Sequence, residues 1–214
     1  MAQRITVIDY GMGNLRSVAK AVEHVAAADD RVLVSDDPRL ILQSDRVVFP
    51  GQGAARDCMA AISDHHLNRA ILEAARSKPF LGICMGQQVL LDHSEENEGT
   101  RLLGLYAGEV RRFTGGMAPD GEALKIPHMG WNRVHQLYEH PLWQGIPQDS
   151  RFYFVHSYYV DPQRQELVAS TTDYGVGFAS AIAEKNLFAV QFHPEKSADA
   201  GLRLLQNFVH WTPV

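Results

Sequence analysis

The sequence predicts an α/β fold built as an open, mostly parallel sheet flanked by helices, with extra antiparallel strands in the C-terminal half. Three observations predict it. In the first half, short apolar runs alternate with amphipathic stretches, the pattern of parallel strands joined by crossover helices. In the second half, strand-like runs follow one another with few helices between them. A last amphipathic stretch, "SADAGLRLLQNFVHW", closes the chain as a helix. The 214 residues, 45% hydrophobic and 21% charged, lie in the ordinary globular range. Such a chain buries roughly 70% of its unfolded surface without a metal or disulfide staple. One domain, spanning 1–214, is expected.

The elements follow in order. "RITVIDY" (Arg4–Tyr10) reads as a buried strand broken by Gly11 and Gly13. Leu15, Val18, Val22 and Val25 then recur at helical spacing. "RVLV" is a second strand, and Asp36, Asp37 and Pro38 start a helix. "RVVFP" is a third strand, closed by Pro50 and a glycine-rich loop. "LNRAILEAAR" puts Leu67, Ile71 and Ala74 on one helix face, and "PFLGI" is a fourth strand ending at Cys84. "GEVRRF", "RFYFVHSYYV", "LVAST", "FASAIA" and "LFAVQF" are the later strands. Ser197 is the expected N-cap of the last helix, with Leu202, Leu205 and Val209 facing inward. "SEENEG" (Ser94–Gly99) and "GGMAPDGE" (Gly115–Glu122) read as surface loops.

Composition excludes several classes. The net charge is −5 and no basic stripe is present, so a nucleic acid is not the expected partner. Two cysteines, Cys58 and Cys84, make no disulfide framework and suit a reducing, cytoplasmic setting. No leader-like segment precedes the first strand, and no apolar run reaches the ~18 residues of a membrane span.

The chemistry concentrates at "GICMGQQ". A strand that runs at once into Gly-x-Cys-x-Gly has the pattern of a nucleophile elbow. The turn lifts the Cys84 thiol above the carboxyl ends of the strands, where open α/β sheets bind ligands. A following helix would turn its positive end toward the sulfur, and the Met85 N–H would face a developing oxyanion. A cysteine nucleophile needs a base with an orienting partner. In "AVQFHPEKS", Pro194 holds His193 in extended backbone, and Glu195 sits two residues on, within reach of the imidazole. "VVFPGQGA" supplies a second glycine-rich turn, whose Gly51–Gln52–Gly53 backbone is a natural second oxyanion donor. Gln88, one helical turn beyond Cys84, faces the substrate.

"PGQGA", "GICMGQQ" and "QFHPEKS" together resemble the three signature segments of class I (triad) glutamine amidotransferases. "IDYGMGNLRSV" and "KIPHMGWN" (Lys125–Asn132) narrow the resemblance to the amidotransferases of histidine biosynthesis. It covers the chain from Ile8 to Phe208. It implies a flavodoxin-like fold and a catalytic triad of Cys84, His193 and Glu195. It also implies hydrolysis of glutamine to glutamate and ammonia without a cofactor or metal. Its partner would be a (β/α)8-barrel cyclase subunit, forming a heterodimer and receiving the ammonia. The segment "HSYY", with Ser157 and Tyr158, resembles the one whose backbone receives the amino-acid end of glutamine. Lys125, Trp131 and Asn132 would contact the partner, and the "YGMGN" loop would lie near the ammonia exit. Family members commonly carry a small apolar residue where Gln52 stands, so its side chain would alter glutamine binding or gating if it enters the pocket.

The same residues admit other readings. Gly-x-Gly after the first strand suggests a dinucleotide site, but the third glycine position is Arg16, which breaks the fingerprint. Cys58 stands in an amphipathic helix without a neighbouring base and reads as structural. Asp64–His66 lacks a third ligand at useful spacing, so no metal site is expected. A cysteine hydrolase or peptidase on a similar fold would share Cys84 and His193 but needs no "KIPHMGWN" segment.

Overall fold

The computed structural model describes residues 2–117, 121 and 123–213. In its first half, strands β1 (Arg4–Ile8), β2 (Arg31–Ser35), β3 (Arg46–Gly51) and β4 (Phe80–Cys84) alternate with helices α1 (Leu15–Val25), α2 (Pro38–Gln43), α3 (Ala55–Asp64) and α4 (Asn68–Ser77). β1 pairs in parallel with β2 and β3, and β3 with β4. The Asp37 side chain caps α2 by accepting the Arg39 N–H at 2.8 Å, as the Asp-Asp-Pro start signal predicts. One core, on the α1 side, gathers Ile5, Val7, Val18, Val22 and Val48. The opposite core gathers Ile8, Ile41, Val47, Phe49, Ile62, Ile71 and Ala74 under α2, α3 and α4. β1 and β3 thus divide their side chains between both faces, which is why they read as unbroken apolar runs rather than alternating ones.

After a single helical turn, α5 (Met85–Gln88), come the short strands β5 (His93–Ser94) and β6 (Thr100–Arg101), then β7 (Gly108–Arg112), β8 (His128–Arg133) and β9 (His135–Gln136). β10 (Arg151–His156), β11 (Tyr158–Pro162), β12 (Val168–Asp173), β13 (Gly177–Glu184) and β14 (Leu187–Val190) follow, and α6 (Ala198–His210) ends the fold. β14 returns beside β4 in parallel, and β13, β11 and β7 extend the sheet antiparallel. The mostly parallel sheet with added antiparallel strands is the architecture expected from the sequence.

Several details differ. "RFYFVHSYYV" is not one strand: it breaks at Ser157, because β10 pairs with β8 in a separate ribbon while β11 joins the main sheet. "KIPHMGWN", whose local structure the sequence left open, supplies β8. Leu202 is only half-buried; Leu204, Leu205, Phe208 and Val209 form the inner face of α6. Ser197 precedes α6 without capping it, because its hydroxyl donates to the His193 carbonyl at 2.6 Å and accepts the Tyr153 N–H at 2.9 Å. The "SEENEG" loop leaves β5 at Ser94 and runs over the surface through a 3₁₀ turn, Glu96–Glu98. Part of the loop expected over Gly115–Glu122 lies outside the described residues.

Candidate functional site

β4 is buried throughout and ends on Cys84, which adopts φ 56° and ψ −109°. A non-glycine residue in that region stores about 1–3 kcal/mol of strain, held here by the surrounding packing. The flanking glycines make the corner possible. A Cβ on Gly82 would lie 2.6 Å from the Gly86 carbonyl oxygen, and one on Gly86 would collide with the Phe49 carbonyl. The helix expected after Cys84 is a single turn of four residues, so it supplies little macrodipole.

His193 stands just past β14, the parallel neighbour of β4. Its backbone is extended, with φ −102° and ψ 96°, and Pro194–Lys196 then turns as a 3₁₀ helix. Glu195 therefore reaches the imidazole from a turn and not from a strand, with Oε1 2.8 Å from His193 Nδ1. Both side chains are almost wholly buried, 5% and 1% exposed, so this ion pair is shielded from solvent screening. His193 Nε2 makes no hydrogen bond of standard geometry, yet it lies close enough to Cys84 to feel the sulfur. Burial pushes the imidazolium down, but Cys84 and Glu195 together outweigh it and raise the pKa to about 10. The sulfur accepts a hydrogen bond from Gln191 Nε2 at 3.6 Å.

A cavity of about 550 Å³ opens on this corner. Cys84, Met85, Gln88, Gln52, Gly53, Ser157, Tyr158 and His193 line it. Two of the expected residues do not. Glu195 sits behind His193, and Gly51 is buried beneath Tyr10 and Met85, where a Cβ would clash with both. Gly51 pairs in register with Cys84, so it shapes the floor of the site. Gln52 is exposed, and its carbonyl accepts from the Cys58 thiol at 3.4 Å. Burial pushes that thiol up to about 12, in keeping with an unreactive structural cysteine. Gly11, Met12 and Gly13, expected near an exit, line the cavity itself, as does Glu96, which the sequence reading left in a surface loop.

Sequence reasoning missed two more buried histidines: His156, which lines the cavity, and His128, which packs behind it. The Tyr158 carbonyl accepts from His156 Nδ1 at 2.8 Å, so that nitrogen holds the proton. In the neutral ring Nε2 is then an acceptor, filled by His128 Nδ1 at 2.9 Å. His128 Nε2 in turn faces the Asn132 amide at 3.3 Å. Burial pushes both imidazoles down, His128 to about 4 and His156 to about 3. Asn132 also donates to the Asp173 carbonyl at 2.8 Å, which turns it inward, away from the outer face where a partner contact was expected. Lys125 and Trp131 are exposed. Among the described residues, no group of three or more His, Cys, Asp or Glu is arranged to hold a metal ion, and no helix is long and apolar enough to cross a membrane.

Known proteins resemble this arrangement over nearly the whole chain. Residues 6–211 match the family described as glutamine amidotransferase class-I. A Methylococcus capsulatus protein named imidazole glycerol phosphate synthase subunit HisH is 60% identical over 98% of this chain and 97% of its own length. The Hydrogenovibrio crunogenus protein of the same name is 55% identical over 97% and 96%. Among solved structures, PurLQS from Thermotoga maritima superposes with a TM-score of 0.72 at 18% identity, covering 98% of this chain and 99% of that one. The glutaminase domain of Trypanosoma brucei CTPS gives 0.63 at 18% identity, with 100% and 96% covered. These two likenesses speak for the fold alone. With the near-complete match to the family model and relatives of this identity, the chain belongs to the class-I glutamine amidotransferases, in the group of imidazole glycerol phosphate synthase HisH subunits.

Proposed function

We propose that this chain hydrolyses the side-chain amide of glutamine through Cys84, His193 and Glu195 and delivers the ammonia to a (β/α)8-barrel cyclase partner, as a cytoplasmic heterodimer. The observation that carries the reading is the strained Cys84 corner beside an imidazole whose Nδ1 is held 2.8 Å from Glu195. The Cys84 thiolate attacks the amide carbon. The Met85 N–H, the first of the turn after the elbow, and a donor from the Gly51–Gln52–Gly53 loop stabilise the oxyanion; losing one such donor typically costs about 2.7–4 kcal/mol. His193 protonates the departing ammonia, then activates water against the thioester, while Glu195 fixes its tautomer and balances the imidazolium charge.

Glutamine's other end has partners on the same cavity wall. Both Gln88 amide hydrogens are engaged, by the Tyr158 carbonyl at 3.0 Å and Gln191 Oε1 at 2.8 Å. Gln88 Oε1 therefore remains to accept a substrate N–H. Glu96 is the acidic side chain of the lining and suits the substrate's ammonium group, with the Ser157–Tyr158 backbone beside it. For the partner, alternation along the β8–β10 ribbon turns Met129, Trp131, Tyr153 and Val155 to one side, opposite Phe152 and Phe154 in the core. Met129 and Trp131 are 61% and 51% exposed, side by side, a patch that suits a protein contact. The Lys196 ammonium lies 5.9 Å from the Tyr153 ring centre at its rim.

The test is glutamate and ammonia release from glutamine, with and without the cyclase subunit and its ligand, for wild type and Cys84→Ala. We expect weak turnover alone, strong stimulation in the complex, and none with Cys84→Ala. Full activity of Cys84→Ala would overturn the assignment, and hydrolysis of peptides or esters in preference to glutamine would favour a general cysteine hydrolase.

A further inference from the structure

Gln191 has no part in the mechanism above, yet its side chain reaches the nucleophile. It is fully buried between β14 and His193, and its backbone N–H is tied to the Ser180 carbonyl at 2.9 Å. Its carboxamide bridges two site residues: Nε2 lies 3.6 Å from Cys84 Sγ, and Oε1 accepts Gln88 Nε2 at 2.8 Å. The orientation of this amide is dictated from outside. The Tyr158 carbonyl can only accept, so Gln88 must present its NH₂ group there. The same NH₂ then faces Gln191, which must answer with its oxygen. Only the NH₂ of Gln191 is left for the sulfur. The Tyr158 carbonyl is itself fixed by a second donor, His156 Nδ1, at 2.8 Å.

We propose that Gln191 is a further catalytic residue of the amidotransferase site: its carboxamide donates to the Cys84 thiolate, holds the sulfur in its attacking pose and couples it to Gln88. A neutral thiol is a poor acceptor, whereas a thiolate makes a charge-assisted bond. The donor therefore favours the ionised sulfur and keeps it aligned while His193 turns from the thiolate to the leaving nitrogen. The role rests on Cys84 being the nucleophile of the function proposed above.

The experiment follows the rate of Cys84 alkylation by iodoacetamide against pH, read by mass spectrometry of the Cys84 peptide, without substrate or partner. Gln191→Met keeps the side chain's length and removes both polar ends. The other titratable groups around the sulfur are unchanged: His193 and Glu195 after β14, Cys58 on α3, Tyr10 after β1, His156 at the end of β10 and Glu96 across the cavity. The midpoint of the alkylation profile is expected to rise by one pH unit or more, a tenfold loss of thiolate at a given pH. An unchanged midpoint in folded Gln191→Met overturns the proposal. If that variant does not fold, the wild type still decides. The Gln191 side-chain ¹⁵N–¹H resonances should shift through the same midpoint and stay flat in Cys84→Ala; resonances that ignore Cys84 ionisation overturn it. A normally reactive Cys84 with no effect at Gln191 sinks this inference alone, whereas glutaminase activity surviving in Cys84→Ala sinks the function beneath it.

Discussion

Two walls of one cavity treat buried histidine in opposite ways. On the nucleophile wall, His193 faces a sulfur and a carboxylate, and these overcome burial to raise its pKa to about 10. On the wall that holds His156, this ring and His128 behind it face a carbonyl, an amide and each other, and burial pushes them to about 3 and 4. The rings are equally hidden, between 3% and 6% exposed. Burial pushes all three imidazoles down; negative neighbours reverse that push at His193 alone. The contrast suits the proposed chemistry. The first wall stores a proton to give away, while the second keeps its protons in one fixed hydrogen-bond order that holds the Tyr158 carbonyl, and through it Gln88.

The contrast can be broken most severely at the carboxylate. Glu195→Gln keeps the shape and removes the charge that orients and balances His193. Glutamine turnover in the partner complex should fall by roughly 10²–10⁴-fold with the fold intact; a change under threefold in steady-state assays would separate Glu195 from the reaction. Next in size is the outer face of the β8–β10 ribbon. Trp131→Ala should weaken cyclase binding by roughly 30-fold, about 2 kcal/mol, as for a central aromatic anchor. Titration calorimetry reads this, with turnover of the free chain unchanged; unaltered affinity would move the interface elsewhere.

The smallest effect sharpens the contrast through stability. His128 and His156 have folded pKa values below the unfolded value of ~6.5. The unfolded chain thus binds protons that the native one refuses. Their contribution is fully present above pH ~6.5 and is lost as pH falls toward 4, by at most about 1.4 kcal/mol per pH unit for each ring. His140, lowered by burial to about 4, adds to the slope. His193 runs the other way: its contribution is present below ~6.5 and fades as pH rises through about 10. Urea unfolding between pH 4 and 7 should show His128→Gln with a shallower acid slope than wild type; parallel slopes would deny that this ring is held neutral.

Much of this was legible in the residues because it is local. Gly82 and Gly86 on either side of Cys84 announce a tight corner, since a Cβ at either glycine would clash with backbone. His193 and Glu195 are close in sequence, so their meeting needed no long-range knowledge. The parallel half was readable for the same reason, each strand being followed by its own helix. What stayed hidden depends on distant pairing. The break at Ser157 exists because β10 and β11 find different partners, and no residue in that apolar run marks it. The His128–His156 pair is made by the β8–β10 register, across residues far apart in the chain. Glu96 came to the cavity from an acidic loop that looked like plain surface. Gln191 carried one faint signal, a lone polar residue between Val190 and Phe192. Its meaning rests on Gln88 and Tyr158, which only the folded chain brings to it.

The most direct test follows the protonation of each ring nitrogen by ¹⁵N-histidine NMR from pH 5 to 10. The account predicts His193 protonated on both nitrogens at pH 7 and losing a proton only well above pH 8, and at a lower pH once Cys84→Ala removes the sulfur, with His128 and His156 neutral throughout. A wild-type His193 that titrates near 6.5, as a free histidine does, would mean that no thiolate–imidazolium pair exists at this corner.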